Sequence, residues 1–127
     1  MVDQLYREII LDHNKNPRNK GTLDPHDLTA EDVNPLCGDE IRMDLRVDGD
    51  RISDIKFSGR GCAISQASAS LLTEMAQDKS LDEVKAMTKD DLLEEIGITL
   101  SPARLKCALL SLKVLKSAVY GVQQEDL

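Results

Sequence analysis

The sequence has 127 residues, a formal net charge of -7 at neutral pH and 41% apolar residues. This length fits one domain over residues 1–127, and the apolar content excludes a disordered chain. An acidic chain with two tyrosines, one phenylalanine and no tryptophan lacks the basic patches and stacking side chains of nucleic-acid-binding proteins. No apolar run is long enough to span a membrane and no leader peptide is recognisable, so we expect a cytoplasmic protein with reduced thiols.

The first half of the sequence predicts one helix followed by strands. Residues 2–14 place apolar side chains at helical spacing, and a polar segment with proline and glycine follows them. The next stretch alternates apolar and charged side chains up to Asp48-Gly49, a dipeptide typical of a tight hairpin turn. Ile52 breaks the alternation in the returning strand, which indicates a bulge. The predicted strands are residues 27–34, 40–48 and 51–58.

The second half of the sequence has the signals of helices. Apolar residues recur at helical spacing over 64–75, and Ser80 and Thr88 are suitable N-caps for two short helices. Ser101-Pro102 begins a long last helix with apolar stripes on two sides, as expected of a helix packed between two partners. Strands followed by helices define an α+β fold of two packed layers.

The chain has three cysteines, an odd number that fits metal or redox chemistry better than a closed disulfide framework, and they lie far apart in the sequence. Cys37 lies in a turn before the long strand. Cys62 follows a glycine-containing junction between strand and helix, where a helix N-terminus stabilises a thiolate. Cys107 lies near the start of the last helix beside Arg104 and Lys106, whose charges also favour the thiolate. A cysteine inside an apolar stripe often only packs in the core, so this alternative stays open for Cys107.

Asp39 follows Cys37 by two residues and adds a carboxylate to the thiols. Thiolates are soft ligands for zinc, copper(I) and iron–sulfur clusters, whereas a carboxylate is a harder ligand for them and exchanges more readily. Because the cysteines are so widely spaced, they form one site only if the fold brings them together. A site of three thiolates and one weak ligand suits a cluster that is to be released.

Three motifs, each with one cysteine, identify a family that nearly the whole chain resembles. They are NPLCGDEI at residues 34–41, SGRGCAISQASAS at 58–70 and the segment from Arg104 to Cys107, and YREIILDHNKNPRNKG at 6–21 precedes them. These stretches resemble the U-type iron–sulfur cluster assembly scaffolds, namely IscU, SufU and the N-terminal domain of NifU. The resemblance implies a three-stranded antiparallel sheet packed against several helices.

The resemblance also implies a site, partners and a function. Cys37, Asp39, Cys62 and Cys107 take the places of the ligands of a transient [2Fe-2S] cluster, or of zinc or iron in the cluster-free form. The expected function is de novo cluster assembly from iron and persulfide sulfur, which a PLP-dependent cysteine desulfurase supplies to Cys107. The cluster then passes to apo iron–sulfur acceptor proteins, so the chain is a carrier rather than an enzyme. A homodimer is compatible with the sequence.

Departures from the family pattern leave a second function open. Members named IscU carry a histidine before the third cysteine, whereas Lys106 occupies that position here, as in SufU-like members. SufU itself has a long insertion between its second and third cysteines that this chain lacks. The alternative is a zinc-dependent sulfurtransferase that relays persulfide sulfur, and a structural zinc domain is a third reading. Residues 100–104 only partly match the chaperone-recognition motif of IscU. We expect His13 to be structural and His26 to be solvated, and neither to bind metal.

Overall fold

The computed structural model describes residues 2–35, 38–97 and 99–120, with side chains from Arg7 onward. It confirms the α+β class. Among the helices of the described residues, none is both long and apolar enough to cross a bilayer. In chain order the elements are α1 (Val2–Lys15), β1 (Leu28–Asn34), β2 (Asp39–Asp48), β3 (Arg51–Arg60), α2 (Ala63–Ala76), α3 (Leu81–Ala86), α4 (Lys89–Ile96) and α5 (Pro102–Tyr120).

The three predicted strands form one antiparallel sheet in the order β1-β2-β3. The hairpin between β2 and β3 turns at Gly49, which has a φ of 66°, a conformation that glycine adopts without strain. The register shifts between Arg46 and Val47, and Val47 pairs with Ile52. This irregularity is the bulge that the broken alternation at Ile52 predicted.

The core lies between one face of the sheet and the two long helices α2 and α5. Ile41, Met43 and Leu45 alternate along β2 and are buried, and Phe57 of β3 pairs with Met43. Helix α5 packs against α2 and also against β1 and β2, as its two apolar stripes predicted. Burial of each large apolar side chain contributes about 1.5–3 kcal/mol, so this layer is the main source of stability.

Capping side chains begin the helices at the predicted positions. Ser80 and Thr88 each form a capping box, in which the cap side chain accepts a backbone N–H and an acidic side chain accepts the N–H of the cap. Ser101 Oγ accepts the Arg104 N–H at 3.4 Å at the start of α5. Removal of one such cap costs about 1 kcal/mol. These helix starts are therefore determined by local sequence.

Asp44 is buried on the opposite face of β2 from the apolar core. Its Oδ2 accepts the Leu23 N–H at 3.1 Å, and its Oδ1 accepts from Thr29 Oγ1 at 2.7 Å and from Arg42 Nε at 3.0 Å. Burial alone would raise the pKa of Asp44, but these hydrogen bonds together hold it below its ordinary value. The alternation of residues along β2 did not predict the burial of Asp44, because the residues that cover it belong to the segment before β1.

The outer edge of β3 is paired with neighbouring segments of the chain. The Phe57 N–H donates to the Asn19 carbonyl at 2.9 Å, and the Gly21 N–H donates to the Phe57 carbonyl at 2.7 Å. Nearer the hairpin, the Ile52 N–H donates to the Lys79 carbonyl at 2.9 Å. Backbone groups that an edge strand would otherwise expose are thus occupied at both ends of β3.

His13 connects α1 to α2. It is 5% exposed; its Nδ1 lies 2.7 Å from Ser70 Oγ and its Nε2 lies 3.4 Å from a Glu74 carboxylate oxygen. Ser70 Oγ accepts the Arg18 N–H at 2.8 Å, so the hydroxyl proton is available to Nδ1 and the imidazole proton belongs on Nε2. Burial, and then the charge of Arg18, lower the pKa of His13. His13 is therefore a structural side chain, as expected.

The lowered pKa of His13 predicts a pH dependence of stability. As the pH falls below the ordinary histidine pKa of about 6.5, the unfolded chain binds a proton that the folded chain does not, so the free energy of unfolding decreases. In urea denaturation of the metal-free protein between about pH 7.5 and 5.5, we expect wild type to lose more stability than His13→Gln. His26→Gln controls for loss of a histidine outside this network. The prediction is wrong if His13→Gln changes the slope no more than His26→Gln does.

Candidate metal centre

Asp39 is the first residue of the central strand, and its carboxylate reaches the start of α2. The side chain is fully buried, and its Oδ1 accepts the Cys62 N–H at 2.9 Å. Its Oδ2 is also buried and has no hydrogen-bond partner among the described residues. A buried carboxylate oxygen without a partner is unfavourable unless a cation neutralises it. This oxygen therefore has the properties of a metal ligand.

Cys62 occupies the N-cap position of α2, at the junction with β3. Its side chain is exposed, so its sulfur is accessible to a metal or to another thiol. Ser65 Oγ donates to the Cys62 carbonyl at 3.1 Å and so supports the first turn of the helix. The strand-to-helix junction presents this thiol at the surface, as the sequence predicted.

Cys107 lies in the second turn of α5 and is 3% exposed. Asn34 Nδ2 lies 4.0 Å from its sulfur. The residue lines the same cavity as Cys62, so it lies at a cavity wall and does not only pack in the core. Cys107 therefore lies beside the core and also at the wall of the cavity that Cys62 lines, and its role as a ligand stays a prediction.

Three of the four expected ligands converge. One ligand atom each of Asp39, Cys62 and Cys107 lies within 4.8 Å of the others. Neighbouring ligand atoms in a tetrahedral zinc site lie about 3.3–3.8 Å apart, so small side-chain shifts suffice to close this set around one ion. Two sulfurs and an unpartnered carboxylate oxygen fit zinc or iron. Cys37, the fourth expected ligand, lies outside the described residues.

A cavity of about 770 Å³ opens beside the two thiols. Arg7 of α1 and Arg104 of α5, both positively charged, are among the residues that line it. In a chain with a net charge of -7, this local positive charge attracts anionic ligands to the thiols. Much of the remaining lining is apolar and comes from Ile10, Leu11, Ala63, Ile64, Leu100 and Ala103.

The structure separates the two basic residues that flank Cys107 in the sequence. Arg104 lines the cavity, whereas Lys106 lines a different groove, between β1 and α5. Residues two apart on a helix point about 200° apart, so the two side chains cannot share one face. Arg7 was missed from the sequence, because only the packing of α1 beside α2 brings it to the cavity. His13 and His26 are absent from the ligand cluster found among the described residues.

Comparison with known proteins identifies the family. The profile of the family described as NifU-like N terminal domain matches residues 5–126. The chain belongs to this family. Its members include the U-type iron–sulfur cluster assembly scaffolds, so the resemblance inferred from the cysteine motifs is confirmed.

Two relatives within the U-type family carry different functional names. SufU of Bacillus subtilis, named a zinc-dependent sulfurtransferase, is 42% identical over 142 residues, covering 98% of this chain and 94% of its own. IscU of Escherichia coli, named an iron–sulfur cluster assembly scaffold protein, is 36% identical over 121 residues, covering 90% of this chain and 91% of its own. Sequence similarity therefore extends over nearly the whole length of both proteins.

Solved structures support the same U-type fold. FiSufU of Fervidobacterium islandicum superposes with a TM-score of 0.78 at 30% identity, covering 91% of this chain and 97% of its own. The N-terminal NifU-like protein of Brucella abortus gives a TM-score of 0.76 at 22% identity, covering 96% of each chain. At this identity the similarity supports the fold alone. The three-stranded sheet with helices packed against it, implied by the resemblance, is confirmed.

Gly61 leaves the space that the Asp39 carboxylate occupies. A Cβ at position 61 would lie 2.3 Å from Asp39 Oδ1 and 2.5 Å from Ser65 Oγ. We therefore expect Gly61→Ala to displace the carboxylate and to weaken zinc binding by about tenfold or more, measured by competition with a chromophoric chelator. Zinc affinity equal to that of wild type would contradict this role of Gly61.

Gly49→Ala is the matched control for this substitution. Gly49 also has a positive φ, but a Cβ there has no atom within 4 Å, and the residue lies in the hairpin turn away from the ligands. The control should lower the melting temperature through backbone strain and leave zinc affinity unchanged. The pair of variants thus separates loss of stability from displacement of a ligand.

Proposed function

We propose that this protein is a scaffold for de novo assembly of [2Fe-2S] clusters. It receives persulfide sulfur from a PLP-dependent cysteine desulfurase, combines this sulfur with iron once an external electron donor has reduced it to sulfide, and passes the cluster to apo iron–sulfur proteins. The observation that carries the proposal is the approach of Asp39, Cys62 and Cys107 to within 4.8 Å at an open cavity. Membership of the family, and a relative named as an assembly scaffold, support it.

The proposed ligand set explains how one site both holds and releases a cluster. Thiolates of Cys62, Cys107 and Cys37 are soft ligands that retain iron, whereas the Asp39 carboxylate exchanges more readily. The Cys62 N–H already engages one oxygen of that carboxylate, so Asp39 offers its other oxygen as a single-point ligand. A ligand of the acceptor protein can therefore replace the bond between Asp39 and iron first, before the bonds to the thiolates.

The cavity offers the sulfur donor a route to the thiols. A persulfide is anionic, and Arg7 and Arg104 on the cavity wall attract it. We assign Cys107, one turn from Arg104, as the first sulfur acceptor. Its thiolate attacks the outer sulfur of the desulfurase persulfide, a new S–S bond forms on Cys107, and the desulfurase cysteine leaves as a thiolate.

A zinc-dependent sulfurtransferase is the second candidate function. It is favoured by the 42% identity to the Bacillus subtilis protein of that name. It is also favoured by Lys106, which occupies the position of the histidine found in members named IscU. A lysine ammonium has no lone pair with which to bind a metal. In that function zinc stays in the site and sulfur leaves as a persulfide. In the scaffold function zinc occupies the same ligands only in the cluster-free form, and iron with sulfide replaces it.

Anaerobic reconstitution separates these two functions. The protein is incubated with a cysteine desulfurase, cysteine, Fe²⁺ and dithiothreitol, the thiol that supplies the electrons for reducing persulfide sulfur to sulfide, then desalted and analysed for iron, sulfide and zinc. A scaffold yields coloured protein with equal amounts of iron and sulfide, loses its zinc and activates an apo-ferredoxin. Colourless protein that keeps zinc and carries only persulfide would overturn the scaffold proposal. Without iron, mass spectrometry should place the extra sulfur on Cys107 in wild type and in Cys62→Ser, and labelling should be lost in Cys107→Ser.

Asp39→Cys tests whether the carboxylate controls release. The substitution completes a four-thiolate set, as in stable [2Fe-2S] proteins. We expect this variant to assemble a cluster and to transfer it to apo-ferredoxin about tenfold more slowly than wild type. Circular dichroism measures the rate of transfer. Asp90→Cys adds an exposed thiol on α4 and is the matched control, with the wild-type rate. Transfer from Asp39→Cys at the wild-type rate or faster would mean that Asp39 does not limit release.

A further inference from the structure

Asn34 and Asp39 form a directly opposed pair at the ends of two strands. Asn34 is the last residue of β1, and Asp39 is the first residue of β2. Opposed residues of an antiparallel ladder project their side chains from the same face of the sheet. Asn34 is 9% exposed and Asp39 is fully buried, so the pair presents an amide and a carboxylate side by side in the interior.

These two side chains contact the two helices that carry thiols. Asp39 Oδ1 accepts the backbone N–H of Cys62 at the start of α2. Asn34 Nδ2 donates to the sulfur of Cys107 on α5 across 4.0 Å. The strand pair β1–β2 thus makes one polar contact with the segment of each of these two cysteines.

We propose that Asn34 is a positioning residue that aims the Cys107 sulfur at the metal. The inference rests on the proposed function only in taking Cys107 to be a metal ligand. An amide N–H that donates to a thiolate stabilises the sulfur lone pair and restricts rotation of the cysteine side chain. An amide does not titrate, so this contact persists at any pH at which the protein is folded, unlike one from a histidine.

A positioning role and a structural role differ in their effect on the metal centre. If Asn34 only supports the fold, its loss lowers the melting temperature and leaves the bound metal unchanged. If Asn34 orients and polarises the sulfur, its loss raises the energy of the sulfur lone pair, and sulfur-to-metal charge-transfer absorption moves to longer wavelength. Metal affinity also falls, by about 10–100-fold for typical groups that support a ligand.

Co²⁺ is the probe, because its absorption reports thiolate ligation directly. Asn34→Leu removes the donor and keeps the branching of the side chain, and Asn34→Asp keeps the shape but carries only acceptors at neutral pH. In anaerobic titrations against a competing chelator, we expect both variants to bind Co²⁺ about tenfold or more weakly than wild type, with the charge-transfer band at longer wavelength. Ser117→Ala, which removes a buried hydroxyl further along α5, should match wild type in affinity and band position.

Each other outcome has a distinct meaning. Band position and affinity equal to wild type in either folded Asn34 variant overturn the positioning role, as does a lower melting temperature with an unshifted band. The nearly isosteric Asn34→Asp decides the matter if Asn34→Leu does not fold. Wild-type protein that binds Co²⁺ without thiolate charge-transfer absorption, or does not bind it, overturns the proposed ligand set and the positioning role together.

Discussion

The hydrogen bond from the Cys62 N–H to Asp39 Oδ1 joins the start of the central strand to the start of α2. Because the Asp39 side chain is fully buried, this bond both satisfies half of the carboxylate and fixes where the helix begins. The space for it exists because residue 61 has no Cβ. Further along α2, Ser70 and Thr73 bind the end of α1 and the loop that follows it. The helix that carries the exposed thiol is therefore held along much of its length.

The proposed centre would combine thiolates that retain soft metals with one ligand that exchanges more readily. Two thiols and a carboxylate meet beside a cavity, and only one oxygen of the carboxylate has a hydrogen-bond partner among the described residues. A buried carboxylate oxygen without a hydrogen-bond partner is unfavourable unless a cation binds it. A bound metal ion would therefore stabilise this part of the folded protein. The basic residues that line the cavity complement the proposed arrangement, since a persulfide is an anion and the chain is otherwise acidic. In the proposed function, retention, delivery and release of the cluster would therefore be properties of neighbouring groups.

Local signals in the sequence were sufficient for most elements and insufficient for the contacts between them. Capping residues such as Ser80 and Thr88 predicted helix starts because their hydrogen bonds reach only three residues ahead. The approach of Asp39, Cys62 and Cys107 to one another was predictable from their motifs, because the family resemblance implied a convergence that spacing alone could not. The contact between Asn34 and Cys107 joins residues 73 positions apart, and no periodicity encodes such a pairing. The burial of Asp44 and the place of Arg7 escaped prediction for the same reason.

The coverage of β3 by the segments around Asn19 and Lys79 has a consequence for self-association. A sheet grows by adding a strand to an edge whose backbone groups are unoccupied. Of the two lateral edges of this sheet, β1 is the one that the described segments leave less covered: Val33 is 52% exposed, although its N–H donates to Asp32 Oδ1 at 2.8 Å. A strand added there would pair next to Asn34, the residue that contacts Cys107. Any coupling between strand addition at β1 and metal binding would be reciprocal, so each would change the equilibrium of the other by the same factor.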